Sequence, residues 1–175
     1  SWSYHIDSVH RKASIGVGMM IKLRPFLPLK SMFTLYNALV LPHFNYGSLV
    51  WGGAGFCYLN RLLILQKKAI AFAVMQIIIS LTTPFKQLYS LNLSDNIRLK
   101  TALFVFEALN GRLPSCFTGL FICNTRGHLQ TRQRDDIKIT FCRLTLTQSN
   151  SIKYKGTKLW NSLDVGIKLS KSPHF

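Results

Sequence analysis

Acidic residues are scarce in this sequence. Only 6 of its 175 residues are Asp or Glu, against 22 Lys and Arg, which leaves a net charge of +16. General acid–base and two-metal catalysis use carboxylates in clusters, so this shortage argues against an ordinary soluble enzyme. The excess of positive charge instead predicts a polyanionic partner, either nucleic acid or an anionic membrane surface.

Long apolar runs and cysteine-rich segments are also missing. The longest uncharged apolar run, Ala69–Leu81, is too short to span a bilayer and is typical of a buried helix. No pattern of a secretory signal peptide occurs. We interpret the four widely spaced cysteines, Cys57, Cys116, Cys123 and Cys142, as reduced core thiols of an intracellular protein in the nucleus or cytoplasm.

The residues that are present predict a mainly α fold, with a helical bundle followed by a small α+β part that contains a β-hairpin. Apolar residues make up 48% of the chain, enough to form a core. Apolar periodicity, Pro and Gly predict four helices, with the third apolar nearly all round and central, and with Ser94 as the N-cap of the fourth. The predicted helices are Tyr4–Arg24, Leu29–Leu41, Leu59–Ser80 and Ser94–Asn110.

The last third of the sequence predicts a β-hairpin and a short helix. Ile137, Ile139 and Phe141 alternate with polar residues, as in a half-buried strand. We expect a turn at Thr147–Asn150 and a partner strand at Ser151–Tyr154. A short helix, Thr157–Leu163, follows with Trp160 as a core anchor, and the chain after Ile167 is expected to be frayed.

The predicted first helix carries a pattern suited to nucleic acid. Arg11, Ser14, Gly18 and Lys22 recur at helical spacing opposite the apolar stripe Ile6, Val9, Ala13, Val17, Met20 and Leu23. Two small residues between two cations allow close approach to a surface while the cations reach phosphates. Such a helix suits the minor groove of a duplex. The alternative is an ordinary solvated basic face.

Other cations join the predicted binding set. Lys67 and Lys68 interrupt the third helix, where their stems can lie on apolar surface or their ammonium groups can contact phosphate. In the last third, basic residues are interleaved with Tyr154 and Trp160, a pattern typical of phosphate contact with base stacking. The members taken as candidates there are Arg132, Arg134, Arg143, Lys153, Lys155 and Lys158.

No catalytic or metal site is predicted. Cys116, Cys123, His128 and Cys142 have a first interval of six residues, wider than the two to four that a zinc knuckle requires. No nucleophile elbow, phosphate loop or paired-histidine zinc motif occurs. The only adjacent acids, Asp135–Asp136, follow a basic stretch and are interpreted as local charge balance.

Ten short strings of residues, spread over nearly the whole chain, form a pattern in their order and spacing. They are Ser1–Ile6, Leu35–Pro42, Asn45–Gly47, Val50–Gly52, Leu65–Ile70, Thr83–Pro84, Leu113–Pro114, Thr131–Arg132, Ser151–Gly156 and Leu159–Leu163. Together they resemble the C-terminal part of reverse transcriptases from non-LTR retrotransposons of the jockey-like and chicken-repeat-like kind. One departure is Ala71, where the family usually has Arg.

The resemblance implies a division of the chain and a role. Residues 1–82 would form a thumb-like helical region, 83–123 a helical post-thumb region, 124–136 a basic loop, 137–167 the hairpin and short helix, and 168–175 a tail. The first helix would track the template–primer duplex. The palm aspartates and their Mg²⁺ would precede Ser1, so no cofactor and no catalytic residue is expected in this chain.

The expected partners are RNA, DNA or an RNA–DNA hybrid, together with the palm and fingers of the same polyprotein, and no membrane. Two alternatives share these features. A structural RNA-binding protein would carry the same charge, and a decaying transposon copy would keep the strings without a selected function. Membrane-surface binding is disfavoured because the apolar stripes are expected to pair with one another.

Overall fold

The structure is a computed structural model that describes residues 2–74, 91–123, 136–139 and 150–168. The chain divides into two compact units, Ser1–Ile97 and Arg98–Phe175. The described residues are mainly helical in each unit, which confirms the predicted mainly α class. Among the described residues, no helix is both long enough and apolar enough to cross a membrane.

The described helices of the first unit are α1 (Ser3–Leu23), α2 (Leu29–Leu39), α3 (Leu41–Asn45), α4 (Ser48–Trp51), α5 (Phe56–Val74) and the start of α6 (Leu93–Leu109). Short turns connect the first five of them. The core lies where α1, α2 and α5 pack together. Ile6, Met20, Met32 and Leu62 are at most 1% exposed there.

Helix α1 forms as predicted because its apolar residues recur on one side and are removed from water. The buried members of that stripe are Ile6, Val9, Ala13, Val17 and Met20. Leu23, also expected in the stripe, is 40% exposed. The helix ends at Leu23, just before the turn of 3₁₀ helix Arg24–Phe26, which has Pro25 in its first positions.

The end of α2 differs from the prediction. This helix was expected to reach Leu41, but it ends at Leu39, and Leu41–Asn45 forms the separate helix α3. Pro42 lies in the first turn of α3, where its missing N–H costs no hydrogen bond. The proline therefore starts a helix here rather than only ending one.

The aromatic segment between α3 and α5 forms a tight turn around a buried tryptophan. Gly47 has φ 60°, a left-handed conformation that L side chains avoid, and it precedes α4. Trp51 is 1% exposed, and its indole Nε1 donates a hydrogen bond to the carbonyl oxygen of Tyr46 at 2.8 Å. The turn therefore satisfies the polar edge of the tryptophan ring.

Helix α5 is amphipathic, so the expectation that it is buried all round is wrong. Its inner side packs against α1 and α2 through Leu62, Ala69 and Ile70. Its outer side carries Ile64, which is 46% exposed, and the exposed Lys67 and Lys68. Residues 75–80 of the predicted helix lie outside the described residues.

Gln66 is a buried polar residue at the junction of three segments. Its amide Nε2 donates to the Tyr36 hydroxyl at 3.0 Å and to the carbonyl oxygen of Leu91 at 3.2 Å. Its Oε1 accepts from the backbone N–H of Leu93 at 2.8 Å. Since buried polar groups are costly without partners, this set of bonds fixes the start of α6 on α5.

The N-cap of α6 is Asn92, so the prediction of Ser94 is wrong. The Asn92 Oδ1 accepts from the backbone N–H of Asp95 at 2.9 Å, and its Nδ2 donates to the Asp95 carboxylate at 2.7 Å. Asn92 precedes the first helical residue, Leu93, which is 1% exposed. With Ser94 as the N-cap, the helix would begin at Asp95. Burial of Leu93 instead places the first helical residue two positions earlier.

The described part of the second unit has a small core of its own. It consists of Val105, Phe106, Phe121, Ile137 and Trp160, which is 4% exposed, so the core role predicted for Trp160 is confirmed. Its later helices are α7 (Ile152–Asn161) and α8 (Val165–Lys168). A Cβ on Gly156 would lie 2.9 Å from Val105 Cγ2, so glycine allows α7 to approach α6 closely.

The predicted partner strand Ser151–Tyr154 is helical. The Ser151 hydroxyl accepts from the Tyr154 backbone N–H and caps α7, which begins at Ile152. Ile137 instead forms an isolated antiparallel bridge with Cys123, and its N–H and C=O pair with the side-chain amide of Asn161 at 2.9 Å each. The side-chain amide of Asn161 thus pairs with the backbone groups of Ile137 that were expected to pair with the partner strand. Phe141 and residues 147–149 lie outside the described residues.

Asp136 and Lys168 are joined by an ion pair. The Lys168 ammonium donates to Asp136 Oδ1 at 2.9 Å and to the carbonyl oxygen of Asn161 at 3.3 Å. The Lys168 side chain is 6% exposed, so the expectation of a frayed tail is wrong at this residue. Asp135 and the basic loop that precedes it lie outside the described residues. Residues 169–175 lie outside the described residues.

Replacement of Gln66 tests the importance of its buried bonds. Gln66→Met keeps the volume but leaves the Leu93 N–H without its acceptor, so we expect the free energy of unfolding to fall by at least about 2 kcal/mol. Lys67→Met, at the exposed neighbouring position, should change it by less than about 0.5 kcal/mol. Urea denaturation measures both. Equal losses in the two variants would contradict the role assigned to the Gln66 amide.

Candidate nucleic-acid interface

The side of α1 that faces away from the core carries cations and apolar residues in alternation. Tyr4 is 85% exposed and Ile15 is 56% exposed, while Arg11 and Lys22 are also exposed and Gly18 is half-buried. At 100° per residue, these five positions lie within about 60° of arc. We call Tyr4, Arg11, Ile15, Gly18 and Lys22 the outer stripe.

The outer stripe lies opposite the buried residues of α1. Three of the four predicted binding residues of this helix belong to the stripe, and the fourth lies beside it. Arg11, Gly18 and Lys22 are in the stripe. Ser14 is half-buried on its edge. Arg11 and Lys22 are about 16 Å apart along the axis, so both cations can reach one stretch of nucleic-acid backbone.

Two glycines of α1 have opposite surroundings. A Cβ on Gly16 would lie 2.8 Å from the carbonyl oxygen of Leu39 and 3.2 Å from Val40 Cγ2, so Gly16 is required for the packing of α1 on the end of α2. A Cβ on Gly18 would meet no atom of another described element within 4 Å. Glycine in a helix interior is unfavourable by about 1 kcal/mol relative to alanine, and no intramolecular packing among the described residues offsets that cost at Gly18.

The electrostatic surroundings of the outer stripe favour an anion. The first unit contains nine Lys and Arg but only two acids, Asp7 and Asp95. The Asp7 carboxylate accepts from Arg61 of α5 at 2.7 Å, and the Asp95 carboxylate accepts from Asn92. Both carboxylates therefore have partners, which reduces their repulsion of a phosphate near the stripe.

The sequence interpretation missed the apolar members of the outer stripe. Tyr4 and Ile15 share the phase of Arg11, Gly18 and Lys22, since positions 4, 11, 15, 18 and 22 follow steps of seven, four, three and four. A search for both cations and apolar residues in that phase would have found them. The missed exposed cation Lys12 lies on the flank of the stripe.

The other predicted cations of the first unit lie on the outer side of α5. Lys68 shares one line of this helix with Arg61 and Ile64, while Lys67 lies about 100° away around the axis. Both lysines are exposed. Lys67 and Lys68 therefore point in different directions and would not contact the same phosphate. Lys68 lies in line with Arg61, which pairs with Asp7.

The structure separates the predicted lysines of the second unit. Lys155 and Lys158 are both exposed and lie three residues apart on α7. Partial desolvation lowers the pKa of Lys155 from its ordinary value, and a bound phosphate would raise it again. Lys153 is half-buried and has the helical phase of the buried Thr157 and Trp160, so it does not join the other two.

Three predicted residues, Arg132, Arg134 and Arg143, lie outside the described residues. Of the described cations, those of α1 and α5 belong to the first unit and those of α7 to the second. The outer stripe is the group in which two cations, an open glycine and exposed apolar side chains share one rigid face. It is therefore the strongest candidate interface in the described part of the chain.

The cysteines are on the surface, which corrects the expectation of core thiols. Cys57, Cys116 and Cys123 are all exposed, while Cys142 and His128 lie outside the described residues. Within the described ranges, no three His, Cys, Asp or Glu side chains are grouped so as to hold a metal ion. Exposed thiols of this kind contribute little to the core and are open to oxidation.

No family model, curated protein or solved structure matches this chain. The resemblance to the thumb region of reverse transcriptases therefore stays a prediction from the residue strings. Function has to be inferred from the geometry and charge of the outer stripe and from the physical requirements of binding a polyanion.

Alanine at the two glycines should change stability in opposite directions. Gly16→Ala forces α1 away from the end of α2, so we expect the free energy of unfolding to fall by about 1–3 kcal/mol. Gly18→Ala adds a Cβ in open space and should raise it by about 0.5–1 kcal/mol. Denaturant titration of the matched pair measures this. Loss of stability in both variants would contradict the open surroundings of Gly18.

Proposed function

We propose that this chain is a non-catalytic nucleic-acid-binding module, the thumb and post-thumb part of an RNA-directed DNA polymerase of a non-LTR retrotransposon. It binds template RNA and RNA–DNA duplex through the backbone phosphates, within the nucleus or cytoplasm. The outer stripe of α1 is the principal contact. The observation that carries the proposal is the exposed face that combines Arg11 and Lys22 with the open Gly18.

The chemistry of the stripe supports binding to the backbone rather than reading of bases. Arg and Lys supply charge-assisted hydrogen bonds to phosphate oxygens, and Ile15 can contact the apolar faces of sugars. Arg and Lys can also pair with a guanine edge, but the stripe contains no Asn, Gln or acid that would pair with adenine or cytosine in the major groove. Binding should therefore depend on salt and vary little with sequence.

A straight helix is better suited to binding a duplex than to binding a mobile single strand. The stripe extends about 27 Å from Tyr4 to Lys22, because each helical residue adds about 1.5 Å. The absence of a side chain at Gly18 lets the helix axis approach the partner between Arg11 and Lys22, about 6 Å along the axis from Lys22. The wide, shallow minor groove of an A-form or hybrid duplex exposes sugars and phosphates that a closely approaching helix can contact.

The strings that support the polymerase assignment include residues that hold the first unit together. Tyr36 and Gln66, from two different strings, are hydrogen bonded to each other at 3.0 Å. Gly47 and Trp51, from two more, form the turn in which the indole is satisfied by Tyr46. This supports the idea that the strings describe one folded unit rather than scattered similarities.

In this proposal polymerisation requires a palm that carries the aspartates and Mg²⁺, and no residue of this chain takes a catalytic role. The palm and fingers of the same polyprotein are the proposed protein partners. Several large apolar side chains of the first unit are exposed and would suit such a partner. They include Tyr46 at 81%, Val50 at 63% and Phe56 at 79%.

Binding to an RNA–DNA hybrid across a salt series tests the proposal. Contact with about four to six phosphates should give a plot of log affinity against log salt with a slope of several units. A double variant, Arg11→Gln with Lys22→Gln, should reduce that slope by about two and weaken binding at least roughly tenfold near 0.1 M salt. Fluorescence anisotropy of a labelled hybrid measures both quantities.

A matched control separates the stripe from net charge. Lys30→Gln with Arg98→Gln removes the same charge from two exposed positions outside the stripe. This control should keep most of the salt slope and affinity. Equal weakening in both double variants would show only a non-specific effect of charge, and a flat salt slope for the unaltered chain would overturn the proposal.

A further inference from the structure

Tyr4 is the most exposed large apolar residue in the described part of the chain, at 85%. The aromatic residues beside it are engaged in the fold. Trp2 and His5 pack edge to face with ring centroids 6.2 Å apart, and His5 also lies 6.2 Å from the buried Trp51 ring. Packing among these described aromatic residues therefore does not explain the Tyr4 ring, which projects into solvent from the first turn of α1.

The position of Tyr4 relates it to the cations of the outer stripe. It lies seven residues, or two helical turns, before Arg11 and has nearly the same phase. The axial separation is about 10 Å, which equals about three base steps at 3.4 Å along one strand. Tyr4 is also the terminal member of the stripe, beyond the span covered by Arg11 and Lys22.

An exposed phenol ring at the Tyr4 end of the stripe is suited to stacking on a flat, accessible face of a ligand. Bases inside a duplex are stacked on both faces, so only an unpaired base or a duplex end offers a face to an aromatic side chain. We propose that Tyr4 stacks on an unpaired base of the single strand that leaves the duplex held by the outer stripe. The stripe would then recognise a junction of duplex and single strand, a ligand class more specific than duplex alone.

The charge next to Tyr4 is compatible with this placement. Asp7 follows Tyr4 by one helical turn and would repel the phosphate of the stacked nucleotide. Its carboxylate, however, accepts from Arg61 at 2.7 Å, and both side chains are about half exposed. The pair presents a neutral surface with a guanidinium within reach of the strand. The inference rests on the proposed function, because the cations of the stripe must hold the duplex.

Three probes test the inference with the full chain. They share an RNA–DNA hybrid of about 12 base pairs, which is longer than the roughly 27 Å of the stripe. One is blunt, one carries a single-stranded overhang of about four nucleotides, and one carries the same overhang with abasic sites. The abasic overhang keeps the phosphates and removes the bases, so it separates stacking from charge. Affinity is measured for each at one salt concentration.

The unaltered chain should bind the base-bearing overhang at least about fivefold more tightly than the abasic one, as expected for one stacked base. Tyr4→Ala and Tyr4→Leu should abolish this preference, while Tyr4→Phe should keep it because stacking needs the ring and not the hydroxyl. Phe26→Ala removes an aromatic residue of similar exposure, 80%, from the 3₁₀ helix after α1 and should have no effect. Circular dichroism checks that each variant is folded.

The outcomes distinguish the two proposals. Salt-dependent binding of the blunt hybrid with no preference for bases in the overhang would overturn the stacking role and leave the proposed function standing. A preference that survives in Tyr4→Ala would likewise overturn the role of this residue. Failure of all three probes to bind would overturn both proposals, whereas loss of the preference in Tyr4→Ala with unchanged blunt binding would support the inference.

Discussion

Burial of one side of α1 is the interaction on which the rest of the first unit depends. Ile6 and Met20 are completely buried, and each large apolar side chain that leaves water contributes about 1.5–3 kcal/mol. This burial fixes the rotation of the helix about its axis. Once that rotation is set, the opposite side has to face solvent, so the cations Arg11 and Lys22 are presented by the same packing that stabilises the fold.

Close packing of backbones sets how precisely that face is held. Gly16 lies against the end of α2, where any side chain would overlap the Leu39 carbonyl, and Gln66 ties α5 to α2 and to the start of α6 with three hydrogen bonds. The Gly16 contact holds α1 against the end of α2, and the Gln66 bonds hold α2 and α5 together beneath it. Gly18 lacks such a packing reason, and a helix would be more stable with alanine there. In the proposed function, a partner that approaches the backbone closely would account for glycine on this exposed basic face.

Sequence patterns predicted the features that depend on local periodicity, and they missed the ones that depend on tertiary contacts. The bounds of α1 and its two faces followed from spacing alone. The break at Val40, the cap at Asn92 and the helical state of Ser151–Tyr154 did not, because each depends on burial or on a side-chain hydrogen bond made after the elements meet. The pairing of Lys168 with Asp136, 32 positions away in the chain, is of the same kind. In the candidate site the cations were predicted, and Tyr4 and Ile15 share their helical phase in the sequence, but the extent of exposure of these two side chains required the packed structure.

The most direct measurement of the central claim is a map of where an RNA–DNA hybrid contacts the protein. Amide chemical shifts of the isotopically labelled chain can be followed during titration with a hybrid of about 12 base pairs. We predict that the largest changes in amide chemical shift lie in α1 between Arg11 and Lys22, with small changes in α2 and α3. Changes confined to the second unit, or spread evenly over all exposed cations, would contradict the assignment of the outer stripe as the principal interface.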